Sequence, residues 1–202
     1  MNDERFMGGV ARNLMNTARW SFFREMNNHL GMLCRPIYVV ETGTARKNNN
    51  WAGDGQSTVV WDWMAAEYGG HVISIDIDKH AIEEAREVCS TRVQFINDDA
   101  LVALWEIPNK DKIDVLYLDS MDAHFEGSAE HHYQELIAIY DDLRPGAIIA
   151  IDDYQGENQG KHVVVAALFA RKNVKPTIWT SAIISWVKPA EYPTIASLTD
   201  PV

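Results

Sequence analysis

Two apolar runs each end in acid. Val115-Leu116-Tyr117-Leu118 leads into Asp119, and Gly146-Ala147-Ile148-Ile149-Ala150-Ile151 leads into Asp152-Asp153-Tyr154. Short, uniformly apolar runs bounded by turn signals read as strands buried on both faces of a sheet. Their carboxylates then stand at the C-terminal ends of strands, where open α/β sheets place their ligands. Neighbouring strands lie about 4.8 Å apart, so Asp119, Asp152 and Asp153 can converge. Three crowded carboxylates repel one another, so they retain protons or share a cation. A hard divalent ion such as Mg²⁺ favours oxygen ligands of this kind. The plainer alternative is that one or two of them are helix caps or loop acids.

The chain has 202 residues, 47% hydrophobic and 23% charged, which suits one α/β domain with a sizeable core. Its formal net charge of -11, without any Lys/Arg block, argues against a nucleic-acid partner, because neutralising phosphates takes clustered basic residues. Cys34 and Cys89 form no C-x-x-C, so a disulfide framework is not expected and a reducing, cytoplasmic setting is. No apolar run approaches the ~18 residues that a membrane span needs. The opening Met1-Asn2-Asp3-Glu4-Arg5 leads to no long apolar region, so no secretory signal is expected.

Residues 1–35 read as a helical extension, with Phe6, Val10, Leu14 and Met15 on one face, followed by Trp20, Phe22, Phe23, Met26 and Leu30. This region is a layer packed on the domain or, if its aromatic residues are exposed, a lid or homodimer surface. Strands and helices then alternate. Strands are expected at 37–40, 71–76, 93–96, 113–119, 146–151, 174–179 and 182–187, and helices at 58–68, 79–90, 100–105, 130–143 and 161–172. The alternation implies a mostly parallel sheet with helices on both faces. The last two strands, joined by Thr180-Ser181, form an antiparallel hairpin at its end. No linker divides the chain, so 1–202 is read as a single domain, with a core over 36–188 and a tail over 189–202. Trp61, Trp63, Trp105, Tyr117 and Tyr140 are expected in the core.

Four loops carry candidate chemistry. The first runs from Glu41-Thr42-Gly43-Thr44 through Arg46 to Gly53-Asp54-Gly55-Gln56-Ser57. Its glycines let backbone approach a ligand closely, and Ser57 is a good N-cap for the helix that follows. It is neither G-x-G-x-x-G nor a Walker loop. The second strand ends at Asp76, the place of the ribose-binding acid of nucleotide-binding α/β folds, while Asp78 is expected to cap the next helix. Of Asp98 and Asp99, one caps the short helix and the other is free to accept from an adenine amino group; spacing does not assign them. After Asp119, the stretch Ser120-Met121-Asp122-Ala123-His124 faces the same crevice, where His124 is the natural general base and Asp122 the fallback. His131 and His132, at the start of a helix, read mainly as structural. No G-x-S-x-G elbow or His/Cys zinc cluster is present.

Together these residues resemble class I S-adenosylmethionine-dependent methyltransferases over residues 37–188. The resemblance implies a Rossmann-like, seven-stranded, mostly parallel sheet. It makes Glu41, Gly43, Thr44, Gly55, Ser57, Asp76, Asp98, Asp99 and Asp119 cofactor-binding. Leu118-Asp119, Tyr140-Asp141-Asp142-Leu143-Arg144-Pro145-Gly146 and Ile151-Asp152-Asp153-Tyr154 further resemble the metal-dependent macrocin (sugar) O-methyltransferase group. That resemblance implies Mg²⁺ on Asp119, Asp152 and Asp153. Position 122 is Asp where the more distantly similar catechol O-methyltransferase branch has a catalytic Lys. The expected activity is Mg²⁺-assisted methyl transfer to a hydroxyl of a small molecule, a sugar or a phenol. The rival readings are a non-catalytic nucleotide- or metal-binding module and an NAD-dependent oxidoreductase.

Overall fold

The apolar runs pair edge to edge in a computed structural model that describes residues 10–53 and 56–200. Phe6 and Gly55 lie outside the described residues. Strands β1 (Ile37–Thr42), β2 (Gly70–Asp76), β3 (Val93–Asn97), β4 (Val115–Leu118) and β5 (Ile148–Ile151) run parallel. β7 (Ile184–Val187) pairs antiparallel with β5, and β6 (Ile178–Trp179) antiparallel with β7, in the order β3-β2-β1-β4-β5-β7-β6. Six strands therefore form the body of the sheet. The seventh, expected over 174–179, is only a two-residue edge. Its upstream half contains Pro176, which has no N–H to give a ladder, and pairing begins only where the Thr177 N–H donates to the Ser185 carbonyl at 2.8 Å.

Alternation along each strand divides the core into two layers. Tyr38 and Val40, Leu116 and Leu118, and Ile149 and Ile151 face one layer. It is completed by α5 (Ala100–Glu106), α6 (Ser128–Ile139), α7 (Val163–Arg171) and α8 (Ile195–Thr199). Ile37 and Val39, Val115 and Tyr117, and Ile148 and Ala150 face the other, against α1 (Ala11–Leu14), α2 (Trp20–Met32) and α3 (Ser57–Tyr68). Helix α4 (Lys79–Val88) buries Ala81, Ile82 and Ala85. Helix α8 falls in the segment expected to be tail. It opens with a capping box between Thr194 and Ser197 and buries Leu198.

The N-terminal region is a packed layer rather than a free aromatic surface. The helix expected through it is interrupted after Leu14, where the Thr17 hydroxyl donates back to the Leu14 carbonyl at 2.8 Å. Met15 is consequently turned outward. Phe22 and Phe23 are fully buried, and the Phe23 ring lies 5.0 Å from Trp61 and 6.1 Å from Tyr117. Trp105 departs from expectation: it is 64% exposed, with Lys110 Nζ 5.5 Å above its ring. At the N-terminal edge of the sheet, buried Asp114 accepts from Arg35, Arg144 and the Tyr38 N–H, joining β1, β4 and β5 by one side chain. Cys34 and Cys89 are free. Among the described residues no helix is long and apolar enough to cross a membrane.

If this layer is part of the cooperative core, Phe23→Ala should lower stability to urea by about 3–5 kcal/mol, the range for truncating a buried aromatic. A loss below about 1 kcal/mol would show that α2 is an appendage.

Candidate active site

β1 is bonded to β2 on one side and to β4 on the other, so the chain leaves the middle of the sheet in opposite directions and opens a crevice above the strand ends. The floor of this crevice is backbone laid on backbone. A Cβ on Gly43 would stand 2.4 Å from the Asp119 carbonyl oxygen, and Gly43 has φ +81°, so only glycine fits here. The cavity holds about 460 Å³ and is lined by Gly43, Thr44, Ser57, Asp76, Asp99 and Asp119, among others. Asp76 accepts from the Thr44 N–H and the Asp78 N–H, both at 2.8 Å. Burial pushes its carboxyl above the ordinary range despite those bonds. Asp78 caps α4 as expected, accepting from the His80 N–H.

Glu41 does not line this cavity. It lies fully buried beneath the first loop, 3.0 Å from the Ser57 hydroxyl and 2.8 Å from that of Ser74. Ser74 also stands 2.8 Å from Thr44 Oγ1, and Thr58 Oγ1 accepts from the Ala45 N–H at 2.9 Å. The loop is thus propped by a carboxyl and four hydroxyls. With no cation in the group, desolvation dominates and raises the Glu41 pKa to about 7, against the bonds from Thr58, Ser74 and Ser57. Ser57 is not the N-cap expected of it, because its hydroxyl is turned to Glu41; Gln56, at φ 54°, holds the cap position instead. Asp98 is exposed and does not line the cavity. Asp99 does, while also capping α5 through the Leu101 N–H.

The loop after β4 forms a second wall. Asp122 is bound by Arg46 at 3.0 Å, and that bond first of all holds its carboxyl below the ordinary range. His124 and Asp122 line a separate polar cavity of about 240 Å³, together with Arg19, Asp119, Asp153 and Gln155. The two cavities share Arg46, Asp119 and Asp122. His131, expected to be structural, lines the larger one, with Nε2 3.1 Å from Ser120 Oγ. His132 is structural, as expected: burial lowers its pKa to about 4.

Asp119, Asp152 and Asp153 do converge, but around side chains of the protein itself. Lys161 is fully buried and its ammonium contacts Asp119 and, at 3.0 Å, Asp153. Arg19 donates from Nε to Asp152 at 2.7 Å and approaches Asp153 with Nη2 at 3.4 Å. Asp152, itself fully buried, also accepts from Tyr117 Oη at 2.6 Å and from the Asp153 N–H at 2.7 Å. Burial alone would drive the Lys161 pKa down, yet Asp119 and Asp153 outweigh it and hold the ammonium above its ordinary value. Among the described residues no group of three or more His, Cys, Asp or Glu side chains is disposed to hold a metal ion. The expected Mg²⁺ site therefore does not fit this arrangement: the carboxylates meet, but protein cations stand between them.

Arg19 and Lys161 escaped sequence reasoning. Arg19 is 133 residues from Asp152, and no local pattern links them. For Lys161 a signal existed: it is the single Lys or Arg between Arg144 and Arg171, in a stretch that also holds Asp152, Asp153 and Glu157. The helix expected from 161 starts instead at Val163, which leaves Lys161 in the loop before it.

The profile of a family described as "Methyltransferase domain" matches residues 52–154. No curated protein matches in sequence. Among solved structures, the O-methyltransferase NovP superposes with a TM-score of 0.61 at 16% identity, over 85% of this chain and 80% of that one. MycE methyltransferase from the mycinamycin biosynthetic pathway, in complex with Mg, SAH and mycinamycin VI, superposes at 0.58 and 18% identity, over 84% of this chain and 50% of that one. An rRNA methylase from Streptococcus thermophilus gives 0.52 at 14% identity, over 80% of this chain and 93% of that one. At such identities what is shared is the fold.

The Glu41 environment generates a pH signature. A carboxyl whose folded pKa is about 7 against an ordinary 4.5 binds more protons folded than unfolded between those values. Its contribution is therefore most favourable below the lower value and declines until pH passes the upper one, by at most about 3 kcal/mol. Glu41→Gln should lack this decline, so its urea midpoint relative to the parent should rise progressively from pH 5 to pH 7, both within the window set by those pKa values. A difference independent of pH would mean that Glu41 folds ionised.

Proposed function

This chain belongs to the methyltransferase-domain family of class I S-adenosylmethionine-dependent methyltransferases, and on that premise we propose that it methylates a hydroxyl of a small molecule such as a sugar or a phenol. The observation that carries the reading is the meeting of the two cavities at Arg46, Asp119 and Asp122. The larger suits a nucleoside-sized donor, and the smaller suits an acceptor of limited size. S-adenosylmethionine, when bound, supplies an electrophilic methyl group on a sulfonium centre.

The residues of the chain do the rest. Gly43 allows the backbone to approach the donor closely. Asp76 is fixed by two backbone N–H groups and retains acceptor capacity for ribose hydroxyls. Asp99, on the wall of the larger cavity, would accept from an adenine amino group. His124, on the wall of the smaller cavity, takes the acceptor proton. Asp122 is the weaker base because Arg46 keeps it as a stabilised carboxylate. Acceleration then comes mainly from orientation and exclusion of water. Mg²⁺ has no place in this reading, since Lys161 and Arg19 already compensate the three aspartates. The formal net charge of -11 favours a small metabolite over a nucleic acid.

S-adenosylhomocysteine at a hundred times its Kd should stabilise the protein by about 2.7 kcal/mol, seen as a raised Tm, and Asp76→Ala should erase that rise. Across a panel of hydroxylated acceptors, His124→Ala should keep the Tm rise while lowering kcat about 10²–10⁴-fold. A Tm rise without turnover on any acceptor would favour a non-catalytic binding module. Absence of the rise would overturn the donor site.

A further inference from the structure

We infer that Lys161, seconded by Arg19, is a built-in replacement for a divalent cation, so that the three-aspartate cluster is a closed ion-pair network and not a metal site. The catalytic part of this inference rests on the acceptor cavity proposed above; the metal-binding part does not.

The placement of Lys161 is specific. The chain leaves β5 through Asp152 and Asp153, loops out, and returns at an isolated bridge between Tyr154 and Gly160. Gly160 makes the return possible: at φ +105°, a Cβ there would stand 2.6 Å from the Asp153 carbonyl oxygen. The next residue, Lys161, is thereby driven inward beneath the strand ends. Its ammonium bridges Asp119 Oδ1 and Asp153 Oδ2, one carboxylate from β4 and one from β5. An ion chelated by those two carboxylates would need that same position.

The remaining acid is equally committed. Asp152 meets Arg19, the Tyr117 hydroxyl and the Asp153 N–H with its two oxygens. Three carboxylates stand against two cations, and burial pushes the Asp119 carboxyl well above its ordinary range against the pull of Lys161. A divalent ion would have to displace a lysine with no exposed side-chain surface, or sit beside it against strong repulsion. Lys161 does not itself line the acceptor cavity, whereas Asp119 and Asp153 do. It is a positioning residue, and it acts through the orientation of those two carboxylates.

Mn²⁺ titration followed by electron paramagnetic resonance tests this on the intact protein. The parent should show no site that Asp152→Asn with Asp153→Asn removes, and chelator should change neither its Tm nor its turnover. Lys161→Ala should bind Mn²⁺ at least about tenfold more tightly than the parent, as expected on removing one adjacent positive charge, and Mg²⁺ should then raise its Tm. Lys161→Arg keeps a cation and should behave as the parent. Mn²⁺ binding by the parent that the double aspartate variant abolishes would overturn the inference, as would a folded Lys161→Ala that gains no affinity. Should Lys161→Ala fail to fold, the parent and Lys161→Arg titrations decide alone. Failure of the proposed function would appear instead as absent turnover, with the Mn²⁺ results unaffected.

Discussion

The seam between β1 and β4 is the contact on which the rest of the site depends. There the Asp119 N–H donates to the Thr42 carbonyl at 2.9 Å, while on the other side of β1 the Gly43 N–H donates to the Ile75 carbonyl of β2 at 2.8 Å. Gly43 lies so close to Asp119 that no side chain fits between them. Beyond this contact the two exit loops part, one toward α3 and the other toward α6, and the larger cavity opens between them. The same seam sets Asp119 beside β5, so that it faces Asp152 and Asp153. A displacement of one residue in register would turn every inward side chain of β4 to the other layer and would take Asp119 out of both cavities.

Around this seam, buried ionisable groups differ in what surrounds them, and burial raises Asp119 well above the ordinary carboxylate range even beside Lys161. Asp114 and Asp152 are buried at opposite ends of the sheet, and each is met by arginine plus a backbone N–H. Lys188 is buried at the end of β7 and donates to the Tyr140 and Leu143 carbonyls at 2.5 and 2.6 Å. Burial still lowers its pKa, because carbonyl dipoles compensate a charge less fully than a carboxylate does. Glu41 has hydroxyl partners and no cation, and there desolvation wins, raising its pKa to about 7. The first loop is consequently supported by a group able to hold its proton near neutrality, whereas the smaller cavity is framed by ion pairs.

Much of this was legible in the chain because it is local. Uniformly apolar runs mark β1, β4 and β5; the acid that ends β2 marks Asp76; and an Asp immediately before a helical pattern marks the cap at Asp78. Convergence of Asp119 with Asp152 and Asp153 followed from strand adjacency. What compensates those acids was not legible. Arg19 reaches them only because Phe22 and Phe23 dock α2 on Trp61 and Tyr117, a tertiary event without sequence periodicity. Lys161 reads as an ordinary exposed helix start until Gly160 is seen to fold the loop back. Glu41 and Asp98 fall outside the lining of the larger cavity for a related reason: a residue's position beside a motif does not say on which side of the backbone its side chain falls. Ser57 shows that a good capping residue gives up that role when a buried carboxyl competes for its hydroxyl.

A network closed by lysine has a chemical consequence that an open metal site would not have. A metal ion offers coordination positions at which an acceptor hydroxyl loses much of its proton affinity. A buried ammonium engaged with two carboxylates holds them in place, yet offers the acceptor no such position. Acidification of the hydroxyl must then come from hydrogen bonding and from a base on the cavity wall, which throws the demand on His124 and on the intrinsic acidity of the acceptor. Under the proposed function, a phenol, whose pKa lies near that of tyrosine at about 10, would match such a base better than an unactivated sugar hydroxyl would.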